Sequence, residues 1–237
     1  MKPYIRTGLI WSALMIAIMA AATVWTLHSL PAEGPIPVHF SLDGTPNRYG
    51  TRLEVMLVFS LIPVIAAIVS ALLAAAPSLD PLGSNIDVGR KAYVVVWIGV
   101  MIVLALAHVG SCMVLLNAIH GTPAGPGIVR GIIAGCALLF VAIGNYLPKT
   151  RPSYMFGMRT PWTLSSDMAW GKTHRLAGRL FIIAGLLGFI GAFLLSGIWL
   201  ALQLSALVFA ATIISVIYSY FAWRAADDHD DGTSLTV

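Results

Sequence analysis

Charge is what this sequence has least of. Lys, Arg, Asp and Glu make up 10% of its 237 residues, against 58% hydrophobic ones, whereas soluble domains carry about 25% charged residues. That shortage excludes water as the solvent for most of the surface. Cysteine is nearly absent as well. Cys112 and Cys136 lie inside apolar runs, with no Cys-x-x-Cys and no histidine-rich neighbourhood, so a zinc framework or disulfide scaffold is not expected and both read as packing residues. No His-Glu-x-x-His occurs, and no serine is paired with a His or Lys at mid-membrane depth. The chain is therefore expected not to be an enzyme and to need no cofactor or metal. Acidic residues are missing from the apolar runs except near their ends, and no transporter-type internal repeat is evident.

What is present is hydrocarbon-length helix. Crossing a bilayer takes about 20 apolar residues, and six stretches qualify: roughly Gly8–Leu27, Leu53–Ala76, Ala92–Leu116, Ile128–Leu147, Leu180–Ser196 and Ile198–Trp223. A signal peptide is the competing reading of the first, but its apolar core is too long for one, so a retained span is favoured. The last two imply a tight hairpin near Ser196-Gly197. With the N-terminus inside, Lys2, Arg6, Arg90, Lys91, Lys149, Arg151, Arg159, Lys172, Arg175, Arg179 and Arg224 fall on the cytoplasmic side. Only Arg48, Arg52 and Arg130 fall outside, eleven against three.

The expected fold is therefore an all-α polytopic membrane bundle of six transmembrane helices, both termini cytoplasmic, with a short extended outer loop. Residues 1–76 would form a first helical pair carrying that loop, and residues 77–237 a four-helix region, joined in one integrated bundle. The net charge of +4 reads as loop charge beside anionic lipid, not as a nucleic-acid surface. Gly127, Gly131 and Gly135 in the fourth span, and Ala184, Gly188, Ala192 and Ser196 in the fifth, have the spacing of close helix contacts. Pro63 is placed to kink the second span.

Polar residues are concentrated in three places. The outer loop, residues 30–52, predicts an extended piece over Ile36–Leu42, then a turn at Asp43-Gly44 and Thr45-Pro46-Asn47 feeding the second span through Tyr49-Gly50. There His39, Phe40, Asp43 and Tyr49 are candidates for sensing a ligand. His39 either binds one, or a metal with Glu33, Asp43 or His28, or simply hydrogen-bonds the loop to the bundle mouth. Glu54 reads as a snorkelling group. The second place is His108, ionisable and within a span, with Ser111 and Asn117 nearby. At that depth it is either functional or held neutral by a neighbouring helix.

The third place is Tyr154–Leu164, ending in FGMRTPWTL, where Gly157 and Pro161 interrupt any helical or strand period. Arg159 is placed to stack on Trp162 or to bond carbonyls of a helix end, with Thr160 and Thr163 bonding local backbone. Ser165-Ser166-Asp167 then supplies a helix N-cap. Beyond it, Lys172, Arg175 and Arg179 form a basic stripe opposite Trp170, His174, Ala177 and Phe181. That is the pattern of a helix lying at the inner interface, running up to Gly178 or straight into the fifth span. The tail from Ala226 reads as disordered.

YMFGMRTPWTLSSDMAWGKTHRLAG resembles the signature of the SdpI family of bacterial membrane immunity proteins, through Gly157, Arg159, Thr160, Pro161, Trp162, Thr163, Leu164, Trp170, Lys172, Thr173, His174, Arg175 and Gly178. The outer loop, with Ile36, Pro37, His39, Phe40, Gly44, Pro46, Tyr49 and Gly50, resembles an N-terminal domain of unknown function that often accompanies it. The resemblance implies a protein of the bacterial cytoplasmic membrane that protects against a secreted peptide toxin. It also implies an outer loop that senses or neutralises toxin and an inner segment, Arg159 to Arg175, that docks a transcriptional repressor protein at the membrane, with Gly157 part of the same motif. Partners implied are thus membrane lipid, a peptide toxin and a repressor, with no direct binding of nucleic acid. A small-solute or ion transporter or channel is the alternative, and His108 would carry it.

Overall fold

The computed structural model describes residues 1–41, 45–122 and 127–228. Helix α1 (Pro3–His28) starts with proline at its first turn, where the ring fits and the missing N–H costs nothing. Strands β1 (Ile36–Phe40) and β2 (Pro46–Gly50) pair antiparallel. Helix α2 (Arg52–Leu79) follows, capped by the Thr51 side chain accepting from the Glu54 N–H, and runs without interruption through Pro63. Then come the short α3 (Gly83–Val88), α4 (Arg90–Ile119) and α5 (Gly127–Tyr146). A 3₁₀ turn at Leu147–Lys149 and the one-turn α6 (Pro161–Leu164) lead to α7 (Asp167–Leu194). Gly197, at φ +55°, closes the expected hairpin into α8 (Gly197–Arg224). Six of the described helices are long and apolar enough to cross a membrane. The chain is an all-α polytopic bundle.

The helices pack in two groups that meet along α4 and α5. In one, Met15 and Met19 of α1, Ala66 of α2 and Trp97, Met101 and Ala105 of α4 share a core. In the other, Phe181 and Ala177 of α7 meet Ala211 of α8 and Leu147. Outward faces carry large exposed apolar side chains, such as Leu57, Leu61, Ile68 and Leu72 on α2 and Phe209 and Ile217 on α8, as lipid-facing surfaces require. Lipid offers no hydrogen bonds, so inward polar groups find partners on neighbouring helices. Trp97 Nε1–H donates to Ser12 Oγ at 2.9 Å, and Gln203 donates to the Gly188 carbonyl.

Three expectations need correction. The glycine stripe on α5 is a helix contact only at its last member: a Cβ at Gly127 or Gly131 would meet nothing within 4 Å, whereas one at Gly135 would stand 2.6 Å from the Leu106 side chain of α4. The close crossing of α5 and α7 lies further along. There a Cβ at Gly144 would stand 2.5 Å from the Gly178 carbonyl oxygen, and one at Gly185 2.6 Å from that of Ala137. The basic-and-aromatic segment runs straight into the fifth span, one of the two expected courses, and is not a separate interfacial helix. It is the first part of α7, continuous to Leu194, and its aromatic stripe packs into protein. Finally, the outer loop is a two-stranded hairpin, because Pro46–Gly50 pairs with Ile36–Phe40.

Candidate functional site

At one end of the bundle the segment 147–166 is anchored to α3, α4, α7, α8 and the end of α2. Asp80, just past the end of α2 and 6% exposed, accepts from the Ser153 hydroxyl and from the backbone N–H of Met155 (3.0 Å) and Leu82 (2.8 Å). Burial alone would raise its carboxyl pKa. The Ser153 hydroxyl and the backbone N–H donors outweigh that and hold it below the ordinary 3.8. Ser153 Oγ in turn accepts from the Phe156 N–H, and Asn85 of α3 donates to the Pro152 carbonyl at 2.8 Å. Phe156 then packs edge-on to Tyr93 of α4, 5.6 Å between centroids.

Gly157 turns the chain at φ +113° beneath the Trp170–His174 stack, whose ring centres are 3.9 Å apart. His174 Nδ1 lies 2.9 Å from the Trp170 carbonyl and so carries the proton. Its Nε2 is thereby left to accept from the Met158 N–H at 2.9 Å. Trp170 Nε1–H donates to the Thr150 carbonyl. Thr160 and Thr163 form a reciprocal capping box around Pro161. Thr163 Oγ1 donates to the Met158 carbonyl at 2.7 Å, and Thr160 Oγ1 reaches Ser219 Oγ of α8 at 3.2 Å. This explains a one-turn helix where sequence breakers suggested none: proline at the first position and threonine caps on both sides suffice.

Arg159 neither stacks on Trp162 nor caps a helix; its Nη1 donates to the Tyr154 carbonyl at 2.6 Å, tightening the loop. Trp162 instead packs against Tyr220 of α8, 5.4 Å away. Ser166 caps α7 through the Ala169 N–H, and its hydroxyl donates to Asp228, which also takes the Met168 N–H. These bonds, the Ser166 one foremost, lower the Asp228 pKa. The first residues of the tail are thus fixed on α7; residues 229–237 lie outside the described ones.

Among the expected contact residues, Thr160, Thr163, Trp170 and His174 are buried, so they build the frame and do not face a partner. Arg159, Pro161 and Arg175 are exposed, and Gly157, Trp162 and Lys172 are half-buried. Asp80, Asn85, Ser153, Ser219 and Asp228 were not anticipated; an aspartate abutting the end of an apolar run was the available signal for the first.

At the opposite end the hairpin sits on α2 and α4. His39 Nδ1 is 2.6 Å from Asn47 Oδ1, and Asn47 Nδ2 donates to Ser41. His39 therefore bonds within the hairpin, and among the described residues no His, Cys, Asp or Glu group is arranged to hold a metal. Asp43 lies outside the described residues. Tyr49 is exposed. Phe40 roofs an apolar groove of about 380 Å³ with Phe59, Ser111, Leu115 and Ile132. Glu54 pairs with Arg48 at 2.7 Å, and Arg52 donates to the carbonyls of Leu27 and Leu30, tying α2 to the end of α1. His108 is buried between helices, its Nε2 2.8 Å from Thr23 Oγ1 of α1; it belongs to neither end. The Asn117 carbonyl accepts from the Thr122 hydroxyl and N–H.

Comparison with known proteins follows this division. A model of the SdpI/YfhL protein family matches residues 149–219, and one of a domain of unknown function, DUF1648, matches residues 14–64. The Immunity protein SdpI of Bacillus subtilis (strain 168) is 27% identical over 90 residues, 38% of this chain and 43% of that protein. The match thus spans less than half of the relative's length. No solved structure matches. Residues 149–219 are thus similar to the SdpI/YfhL family, and residues 14–64 to the DUF1648 domain.

Proposed function

We propose that this multi-pass membrane protein is an immunity and signalling protein of the bacterial cytoplasmic membrane, protecting its cell against a secreted peptide toxin. One observation carries the reading: a single bundle presents two organised polar structures at opposite ends, and the family-matched segment that resembles an immunity protein builds one of them. The excess of Lys and Arg at the 147–166 end supports a cytoplasmic location for it. The hairpin and its apolar groove then face the toxin, and Arg159, Pro161, Trp162 and Arg175 present the surface for a repressor protein.

Transport draws little support. Among the described residues His108 is the ionisable group at mid-membrane, and it is bonded to Thr23.

The test is complementation of a Bacillus subtilis strain lacking its Immunity protein SdpI, with membrane levels matched. Wild type is expected to restore growth under toxin. His39→Ala with Asn47→Ala is expected to weaken protection by loosening the hairpin. Arg159→Ala is expected to leave protection and abolish repressor recruitment. Failure of the wild type to protect against that toxin or any self-produced membrane peptide would refute the proposal.

A further inference from the structure

A second site lies beside the family-matched loop and shares only Lys149 with it. At the same end of the bundle, the first turns of α1 and α4 and the end of α5 enclose a cleft of about 810 Å³, lined by Lys2, Tyr4, Thr7, Asp87, Arg90 and Lys91, with Val94, Val95 and Tyr146. A second hollow of about 430 Å³ continues from it over Arg90, Lys91 and Tyr146 to Lys149. Four cations, Lys2, Arg90, Lys91 and Lys149, therefore border one continuous depression.

The only carboxylate lining it among the described residues is Asp87, and it is already engaged. Lys2 Nζ lies 2.6 Å from its carboxylate and the Tyr4 hydroxyl 2.7 Å, contacts that hold its pKa below the ordinary 3.8. Arg90, Lys91 and Lys149 have no carboxylate within salt-bridge distance among the described residues; Lys149 rests over the Tyr146 ring at 4.6 Å. Below this rim the walls turn apolar. Val94 and Val95 lie one turn deeper on α4, on helices that continue into hydrocarbon.

A basic rim above apolar walls, at the level where helices leave the bilayer, matches one amphiphile in chemistry: an acidic head with acyl chains below it. We propose that this cleft binds an anionic glycerophospholipid, its phosphate between Arg90, Lys91 and Lys149 and a chain along Val94 and Val95. Basic pockets between helices at the membrane surface hold acidic head groups in this way. A soluble phosphate would use the rim and leave the valine walls empty. A peptide would need polar partners along its backbone, and the walls below the rim are the side chains of Val94 and Val95.

The test is native mass spectrometry and lipid-exchange titration of the full chain in nanodiscs, comparing phosphatidylglycerol with phosphatidylcholine. Wild type is expected to retain phosphatidylglycerol selectively. Inorganic phosphate and glycerol 3-phosphate at millimolar concentration are expected not to displace it. Arg90→Gln with Lys91→Gln should weaken retention about 30-fold, at roughly a factor of five per cation removed near the surface. Thr7→Trp, an exposed position on the cleft wall, should block it with all charge intact. Unchanged melting in pure phosphatidylcholine shows that each variant is folded; should the double variant not fold, Thr7→Trp decides alone. Equal retention of both lipids, undiminished binding in Thr7→Trp, or displacement by free phosphate would overturn the proposal.

Discussion

Replacing Gly157 by alanine tests the frame of the loop at its tightest point. The backbone there sits at φ +113°, and a Cβ would stand 2.7 Å from both His174 Nε2 and the Trp170 ring. Three costs follow. A side chain in that backbone region costs about 1–2 kcal/mol. Forcing a methyl into a packed aromatic stack costs about 1–3 kcal/mol. Moving the loop away forfeits the Met158–His174 hydrogen bond, about 1 kcal/mol. Together they come to about 3–6 kcal/mol. Gly34 provides the comparison: its φ is +103°, but a Cβ there meets nothing within 4 Å, so Gly34→Ala should cost only the backbone share, about 1–2 kcal/mol. Equilibrium unfolding in mixed micelles, followed by tryptophan fluorescence, reads both. Equal losses for the two variants would show that the Trp170–His174 stack does not press on the turn, and the account of the motif glycine would be wrong.

Two further predictions concern how the loop and the helices are held. Asp80→Asn keeps one acceptor oxygen and turns an NH₂ toward a donor, so it should cost about 2–4 kcal/mol. Because the folded pKa of Asp80 lies below 3.8, its contribution is present above that value and lost as pH falls below it. The wild type should therefore lose stability more steeply than Asp80→Asn on acidification, and parallel pH profiles in unfolding titrations would contradict the assignment. Gly144→Ala should destabilise by about 2 kcal/mol or more, its methyl meeting the backbone of α7, while Gly131→Ala should change little. The reverse ranking in the same assay would restore the α5 glycine stripe as the helix contact.

The spans were legible because solvent dictates them: a 20-residue apolar run has few alternatives. What periodicity did not convey is what a face packs against. Trp170, His174, Ala177 and Phe181 do form one stripe, and all four are buried. Their cover is the 147–158 segment, α5 and α8, a tertiary fact that an amphipathic pattern alone cannot distinguish from a membrane surface. Small-residue spacing held on α7, where Ala184, Gly188 and Ala192 are buried, but failed for the first two glycines of α5 for a similar reason. Gly127, Gly131 and Gly135 share a face, but the crossing of two helices is set by both partners, and it falls at Gly144, Gly178 and Gly185. Strand β2 was read as turn because Pro46, Asn47 and Gly50 weaken it; only pairing with β1 makes it a strand. At the loop, the Thr160 and Thr163 bonds were readable because they are local. Asp80 was not, since its partner Ser153 lies far along the chain.

Why a connecting loop needs RTPWTL and its flanks follows from where it lies. Backbone N–H groups packed against a membrane-embedded bundle need internal partners, and here buried side chains provide them one by one. Asp80 takes Met155, Ser153 takes Phe156, His174 takes Met158, and Thr163 takes Thr160. These acceptors belong to different elements, so satisfying the loop also fixes the ends of α2 and α7 relative to each other, and the Thr160–Ser219 contact adds α8. Tyr154 and Met155, 47% and 44% exposed, and Arg159 are displayed on that frame with their backbone already ordered. Recognition of this face by another molecule would thus avoid the ordering cost that a flexible loop imposes, and loosening the frame at Asp80 or Gly157 should weaken binding without altering any exposed side chain.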